Sequence, residues 1–366
     1  MSYRSTSRDH RRGVIVVLAA VTMVILVGVV AFAVDHGYLL KIRTDLQRSA
    51  DASALAAVRD LIRKTDGTQD LTQAQETVRT YVQDNLNDAS FQVAASDIEI
   101  GRYDPQSIYS SVKLLSTGTF DTVRVTLRRD GVSNPSVPAF FARLLGTRQS
   151  NVVASATAVL QKAEVIEPGA EVLPFATPKS LWDSLDPETN PDPEWKAYGD
   201  GKLRDGSGND IPGNWGTLDI GSTGNSSSDL NDQILYGLKQ SDLDALHADG
   251  RIPQNTFIDS AEPAWMQGDT GLSSGLKQSV TQVYGKRKLI PIYDDLGGHP
   301  TGNNLEFHVI GWGTVTVIDS EWHGATNTYV RLRRVDMFNG KLRPAGTLSS
   351  TGGYIDGAYT SPVLVE

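Results

Sequence analysis

The sharpest chemical motif in the chain is Gly271-Leu272-Ser273-Ser274-Gly275, which fits the G-x-S-x-G pattern of a serine nucleophile. An α/β-hydrolase needs an apolar strand directly before that serine and a helix directly after it. The preceding residues, PAWMQGDT, do not supply such a strand, and the chain lacks alternating strand and helix segments. We therefore predict a loop at 271–275 and a helix over 276–283. An exported serine hydrolase using Ser273 is kept as an alternative function.

The histidines and acidic residues could form a metal site only if distant strands brought them together. The six histidines are His10, His36, His247, His299, His308 and His323. The last three fall near Asp294, Asp295, Asp319 and Glu321, but no H-x-H or H-E-x-x-H pair exists, and zinc sites usually have closely spaced ligands. DGSGND at 205–210 is rich in oxygen but lacks the spacing of a calcium loop. We predict no catalytic, cofactor-binding or metal-ligating residue.

Composition excludes further classes of function. The chain has no cysteine, which excludes thiol catalysis, cysteine-ligated zinc and iron–sulfur clusters. Its net charge of −9 argues against nucleic acid as a partner, because phosphate binding needs a basic face. All six tryptophans lie between residues 182 and 322, at 182, 195, 215, 265, 312 and 322. Exposed tryptophans would favour a surface adhesin, a second alternative, but we predict that most fill a β-core.

The uncharged stretch at 13–34 determines where the rest of the chain is expected to lie relative to a membrane. A helix of this length, at about 1.5 Å per residue, crosses a hydrocarbon core of roughly 30 Å. Arg4, Arg8, Arg11 and Arg12 precede it, and basic residues stay in the cytoplasm, so residues 1–12 are predicted to be cytoplasmic and the rest exported. A cleaved signal ending at Ala31-Phe32-Ala33 is the rival interpretation. The stretch is longer than a usual signal core of about 7–15 residues, which favours a retained anchor.

An amphipathic helix is predicted to continue from the span over 35–66. Its apolar or small residues recur at spacings of three and four, which traces one helical face. These residues are Leu39, Ile42, Leu46, Ala50, Ala54, Ala57 and Leu61. Small side chains let another backbone approach closely. The face could therefore pack on the protein's own domain or contact another membrane or pilus protein, and the sequence leaves both open.

Beyond this helix the fold class is α+β, with a small α+β domain at 67–162, a linker at 163–172 and a β-rich domain at 173–366. Periodicity predicts a helix over 71–86, strands at 91–103, 121–129 and 151–160, and a short helix at 138–146 that ends at Gly146. Residues 173–230 read mostly as turns because glycine, proline, asparagine and serine are frequent there. Later strands are predicted at 288–294, 305–318 and 328–338.

Residues 10–62 resemble a known family. The features are the basic start, a span ending in Ala33-Val34-Asp35, Gly37-Tyr38 and LQRSADASALAAVRDL at 46–61. Together they are similar to the N-terminal module of TadG-like proteins of the bacterial Tad or Flp pilus assembly system, and the segments at 121–160 and 173–312 fit the same resemblance. It implies a single-pass protein of the cytoplasmic (inner) membrane that helps to assemble pili, or a related envelope structure, through protein contacts without catalysis. Prepilin peptidase cuts its substrates after a glycine that is followed, five residues on, by glutamate. Gly13 is followed at that distance by Leu18, so this cleavage is not expected.

Overall fold

The computed structural model describes most of the chain, in two compact units. The described residues are 9–64, 66–103, 114–115, 118–187, 189–190, 192–205, 210–221, 226–254, 257–298, 305–324, 327–344 and 355–365. Unit 1 comprises Met1–Ala56, Gln75–Glu99 and Arg124–Thr157, and unit 2 comprises Ala57–Ala74, Ile100–Val123 and Ala158–Glu366.

Six α-helices and four short 3₁₀ helices occur in the described residues. The α-helices are α1 (Asp9–Ala57), α2 (Leu71–Leu86), α3 (Lys179–Ser184), α4 (Ser227–Tyr236), α5 (Gln240–Ala248) and α6 (Lys277–Gln282). The 3₁₀ helices are Val58–Leu61, Ala95–Asp97, Ala142–Leu145 and Ser274–Leu276.

The strands outnumber the helices, and most of them follow residue 160. The earlier strands are β1 (Ile98–Tyr103), β2 (Leu114–Leu115), β3 (Thr122–Arg129), β4 (Val137–Pro138), β5 (Gln149–Ser150) and β6 (Val152–Val159). The later ones are β7 (Ala163–Ile166), β8 (Phe175–Pro178), β9 (Glu194–Tyr198), β10 (Lys202–Asp205), β11 (Asp210–Asn214), β12 (Gly216–Leu218), β13 (Ile258–Asp259), β14 (Ala264–Thr270), β15 (Arg287–Gly298), β16 (Leu305–Glu321), β17 (Tyr329–Arg334), β18 (Met337–Phe338), β19 (Leu342–Pro344), β20 (Ala358–Tyr359) and β21 (Val363–Val365). The predicted α+β class and β-rich C-terminal region are confirmed.

Helix α1 joins the predicted span and its extension in one uninterrupted helix of 49 residues. Its apolar part has a mean hydropathy of 3.1, with none of it buried, and by length and composition it could cross a membrane. Burial begins beyond the span, at Asp35, and becomes regular from Leu46 onward. Helical structure then continues as a 3₁₀ turn to Leu61, so it stops before the predicted end at residue 66.

Helix α2 and strand β3 follow the sequence pattern, whereas the start of β1 departs from it. Helix α2 has the predicted bounds, and Val123, Val125 and Leu127 of β3 are buried as their alternation predicts. They belong to a five-stranded sheet of order β2-β1-β3-β6-β21. The strand predicted from residue 91 instead begins at Ile98. The Asn134 side chain bonds the backbone N and O of Gln92, which fixes that residue in an irregular segment before the strand.

In unit 2, a nine-stranded sheet has the order β11-β10-β9-β17-β16-β14-β12-β8-β15, and β15 also pairs with β16. Strands β16, β14, β12, β8 and β15 therefore form a closed ring of pairings. The Phe307 ring lies against Gly216 and Gly268, where an added Cβ would come within 2.7 Å of it. Glycine is needed at these positions because the ring occupies the space of a side chain.

The interpretation of 173–230 as mostly turns is wrong. Strands β8 to β12 and helices α3 and α4 lie there. Glycine-rich composition was misleading, since Gly216 marks a close approach of two strands: a Cβ would lie 2.1 Å from the Asp269 carbonyl oxygen. The prediction that most tryptophans fill the core is confirmed, because Trp182, Trp195, Trp215 and Trp312 are buried.

Candidate functional site

The candidate site in unit 1 is built around Asp35, the first residue after the apolar span. Its carboxylate is buried and accepts hydrogen bonds from three consecutive backbone amides. Oδ1 accepts from the N–H groups of Phe140 at 2.9 Å and Phe141 at 3.2 Å. Oδ2 accepts from Phe141 at 3.0 Å and Ala142 at 2.6 Å. We call Asp35 together with residues 140–142 the Asp35 clasp.

The clasp forms because a helix start leaves its first N–H groups without partners inside the helix. Residues 140–142 lead into the 3₁₀ helix Ala142–Leu145, whose own preceding residue, Phe141, offers no side-chain cap. Asp35 supplies that cap from a distant point in the chain. Gly146 closes the other end in the left-handed conformation, with φ of 97°, as the sequence predicts for the end of this short helix.

The clasp also keeps Asp35 ionised. Burial alone would raise the pKa of this carboxyl, but the N–H groups of Ala142, Phe140 and Phe141, together with the charge of Arg143, outweigh burial and lower its pKa. A carboxylate with this many N–H donors is therefore a negative charge at neutral pH.

Partly exposed aromatic side chains belong to the clasp or lie beside it. Phe140 and Phe141 are 48% and 44% exposed although their backbone is held in place. The Tyr38 ring, one turn along α1 from Asp35, meets the Phe140 ring edge-on at 5.1 Å between centroids. Arg143 is exposed, and its Nε donates to the Ala139 carbonyl at 3.1 Å.

Higher on α1, the helix is fastened to a strand of the same unit. Gln47 Nε2 donates to the Ser155 carbonyl of β6 at 2.9 Å and to Asp51 Oδ1 at 2.8 Å. Neither this contact nor the clasp follows from periodicity. The signal available in the sequence was an aspartate directly after an apolar span.

Two family models match this part of the chain. Residues 13–60 match the model described as Flp pilus-assembly TadE/G-like, and residues 47–158 match the model described as Tad-like Flp pilus-assembly. Residues 13–158 are TadG-like. No curated protein and no solved structure matches the chain. Both halves of the Asp35 clasp lie in this region, and the family matches support involvement of the region in pilus assembly.

The helix face offered as a partner surface needs a correction. Leu46, Ala50, Ala54, Ala57 and Leu61 are buried within the protein, and Leu39 and Ile42 are partly buried. Small side chains allow the close approach that the sequence suggested, but the approach is made by the chain itself. Of the two uses left open, packing within the protein is the one observed, so this face of the TadG-like helix is not a free surface.

Where the TadG-like helix ends, Arg63 is bound to Asp336 inside unit 2. The guanidinium makes two bonds to the carboxylate, from Nε to Oδ2 and from Nη2 to Oδ1, both at 2.9 Å. The Arg63 backbone N–H adds a third at 3.2 Å. Both side chains are largely buried. This pair fixes the segment that follows the helix, and sequence reasoning missed it because the partners lie far apart in the chain.

A strand does precede Ser273, contrary to the sequence analysis. Strand β14 runs to Thr270, and the 3₁₀ helix Ser274–Leu276 and α6 follow, so the expected loop is short and the expected helix is present. Ser273 is exposed, however, and caps that helix: its Oγ accepts from the Gly275 N–H at 3.3 Å. Its other contact is the Ser227 hydroxyl at 3.3 Å. Neither group is a base that could activate a serine.

Of the histidines and acidic residues weighed as metal ligands, the structure brings His308 and Asp294 together. His308 Nδ1 lies 2.7 Å from Asp294 Oδ1, and its ring stacks near Trp265 at 4.8 Å. His323 is exposed, whereas His299 and most of DGSGND (206–209) fall outside the described residues. Within the part of the chain that is described, no group of three histidine or acidic side chains could hold a metal ion.

Unit 2 also contains a cavity of about 580 Å³. Its floor is apolar, formed by Met266, Val309 and Trp312, and Arg251 and Arg343 stand at its edge. Arg251 is paired with Glu306 at 3.1 Å, and Arg343 is paired with Glu167. No histidine or cysteine is among the described residues that line it.

Proposed function

We propose that this protein is a membrane-anchored, non-catalytic component of Tad/Flp-type pilus assembly. The observation that carries the proposal is the match of residues 13–158 to pilus-assembly families, combined with an apolar helix segment of which none is buried. An apolar surface of this length is stable only in a bilayer or against other apolar partners. The span would hold the protein in the membrane, and the exported units would contact pilus or secretion proteins.

The proposed orientation places the N-terminus in the cytoplasm and residues beyond 35 outside the inner membrane. The four arginines before the span support it through the preference of basic residues for the cytoplasmic side. In that arrangement the Asp35 clasp stands at the outer surface of the membrane. Its part would be positional, since it ties unit 1 to the point where the helix leaves the bilayer.

The first experiment compares intact mass and location in cells that make the protein natively. We expect a full-length species in the membrane fraction that needs detergent for release. A soluble product beginning near Val34 would instead mean a cleaved signal and a secreted protein.

A second experiment separates assembly from catalysis. Deletion of the gene should abolish surface pili, and re-expression of either the wild-type chain or the Ser273→Ala variant should restore them equally. Failure of the Ser273→Ala variant alone, at wild-type protein levels, would favour the exported hydrolase. Pili that persist in the deletion strain would contradict a role in assembly.

The adhesin alternative has less support. Four of the six tryptophans are buried, and Trp265, which is exposed, is engaged by His308 and Gly297. Aromatic binding faces for glycans need rings that are free to stack on the ligand. Glycan-array binding by the detergent-solubilised chain would be expected to be negative.

A further inference from the structure

Two adjacent phenylalanines are exposed at a place where the backbone is firmly held. Phe140 and Phe141 are the phenylalanines exposed outside the apolar span, in the part of the chain that the structure describes. Their N–H groups are bound by the Asp35 carboxylate. Mobile loops can hide such side chains by rearranging, but a clasped backbone keeps presenting them. An explanation is therefore needed for what covers them.

The clasp fixes how far these rings lie from the end of the apolar span, measured along the axis of α1. Asp35 is the first residue after the predicted span, and the Phe140 ring meets Tyr38, which stands about 4.5 Å further along the helix axis. The polar headgroup layer occupies about 5–8 Å on each side of the hydrocarbon core. If α1 crosses the bilayer, the rings of Tyr38, Phe140 and Phe141 lie at the depth of this layer. Tyrosine is enriched at that depth, and phenylalanine is among the residues that interfacial segments bury there.

The arginines near these rings also suit contact with the headgroup layer of a membrane. Arg143 and Arg148 are exposed, and the backbone carbonyl of Arg148 accepts from Ala139, which keeps Arg148 close to the clasp. The negative charge of Asp35 lies in the same clasp, but its oxygens already face the N–H groups of residues 140–142. Exposed arginines next to exposed aromatic rings are attracted to lipids with anionic headgroups, such as phosphatidylglycerol.

We propose that Phe140, Phe141 and Arg143 form a second contact with the lipid surface of the membrane that α1 spans. The proposal rests on the membrane anchoring proposed above. A single spanning helix is free to tilt and to rotate about its axis. A clasped aromatic loop at its base fixes both, because the loop must stay in the headgroup layer while the helix crosses the core. Unit 1 then has one orientation on the membrane.

The test uses the absence of cysteine in the chain, which makes a single introduced cysteine a unique labelling site. Full-length Phe141→Cys, Val132→Cys and Val24→Cys variants are labelled with a nitroxide and reconstituted into vesicles of phosphatidylethanolamine and phosphatidylglycerol. Collision rates with oxygen, which concentrates in lipid, and with a water-soluble nickel chelate give the depth of each label. Val132 is the matched control, since it is an apolar residue of unit 1 that is 87% exposed and lies outside the clasp.

The label at 141 should show an oxygen-to-nickel collision ratio several-fold higher than the label at 132, and lower than the label at 24. A label at 141 that the nickel chelate reaches as readily as at 132, or that is shielded from both reagents, overturns the proposal. The Val24 label separates this result from failure of the anchor. If position 24 reports lipid while 141 reports water, only the second contact is wrong. If position 24 also reports water, the membrane anchor is wrong and the second contact falls with it.

Discussion

The TadG-like region at 13–158 and the C-terminal region at 159–366 hold their backbones in different ways. In the first, polar side chains bind distant main-chain groups: Asp35 binds residues 140–142, and Asn134 binds Gln92 and Arg128. In the second, such bonds also occur, as between the Gln233 side-chain amide and the backbone N and O of Ile220, but large aromatic rings in addition fill spaces left by glycine, as Phe307 does against Gly216 and Gly268. Hydrogen bonds to particular backbone amides fix the direction of a segment, whereas packed rings fill the interior of the fold. The first device suits a part that must be oriented, and the second suits a stable core.

The largest effect on stability is expected for the buried ion pair between Arg63 of the TadG-like region and Asp336 of the C-terminal region. Asp336→Asn keeps the shape of the side chain but leaves the buried Arg63 guanidinium without its charge partner. We expect the free energy of unfolding to fall by about 3–5 kcal/mol, the usual cost of breaking a buried pair. Urea unfolding of the full chain in detergent, followed by tryptophan fluorescence, measures it. The exposed pair Lys41–Asp45 is the control, and Lys41→Met should leave the free energy of unfolding almost unchanged.

The next effect tests the ring-packing side of the comparison. In Gly313→Ala, the new Cβ would lie 2.1 Å from Cζ2 of the buried Trp182 ring, so the ring or strand β16 must move. Overpacking of this kind costs about 1–3 kcal/mol. Gly311→Ala is a matched control on the same strand, where nothing lies within 4 Å of the added Cβ. Equal stabilities of the two variants in the same urea titration would show that the Trp182 contact does not constrain the core.

A smaller effect concerns a charge buried among the strands of unit 2. Burial lowers the pKa of Lys288 on β15, although the nearby exposed Glu171 acts in the opposite direction. The unfolded chain then binds more protons than the folded one between the lowered pKa and the usual value of 10.5, so stability rises with pH across that window. Lys288→Met should stabilise the protein by roughly 1 kcal/mol at neutral pH. Its advantage over the wild type should shrink as the pH rises towards 10.5, and a constant difference would contradict the assignment.

Asp35→Asn is expected to have the smallest effect on global stability, and its main effect is local. The neutral amide offers one acceptor oxygen in place of two, so the N–H groups of residues 140–142 lose part of their cap. Hydrogen exchange of these three amides should become faster, while the amides of α2 keep their wild-type rates. Loss of protection in α2 as well would mean that the clasp holds the whole unit rather than one loop.

In the wild-type protein the clasp should also respond to acid in a defined direction. The pKa of Asp35 is lowered, so its stabilising effect is complete above the usual aspartate range and is lost as the pH falls through the lowered value. Protection of the amides at 140–142 should therefore persist through mildly acidic conditions, which exchange measurements at a series of pH values would follow.

Periodic structure was predictable from sequence, and contacts between distant residues were not. The spacing of Ala74, Val78 and Val82 gave the bounds of α2, and alternation gave β3. Strand β14 was missed because Gln267, Gly268 and Asp269 interrupt its apolar pattern, yet Gly268 is there to admit the Phe307 ring. The Asp35 clasp joins a carboxylate to backbone amides that any residue types could have supplied. Only Asp35 carried a sequence signal, and that signal suggested the end of a span.

Helix α1 gives the molecule a mechanical property that no single contact provides. It is continuous from Asp9 to Ala57, a length of about 70 Å, and the predicted span accounts for less than half of its residues. A continuous helix has no joint at which rotation could be absorbed. If the apolar part lies in the membrane as proposed, its rotation or tilt is carried along the same helix to Ala57.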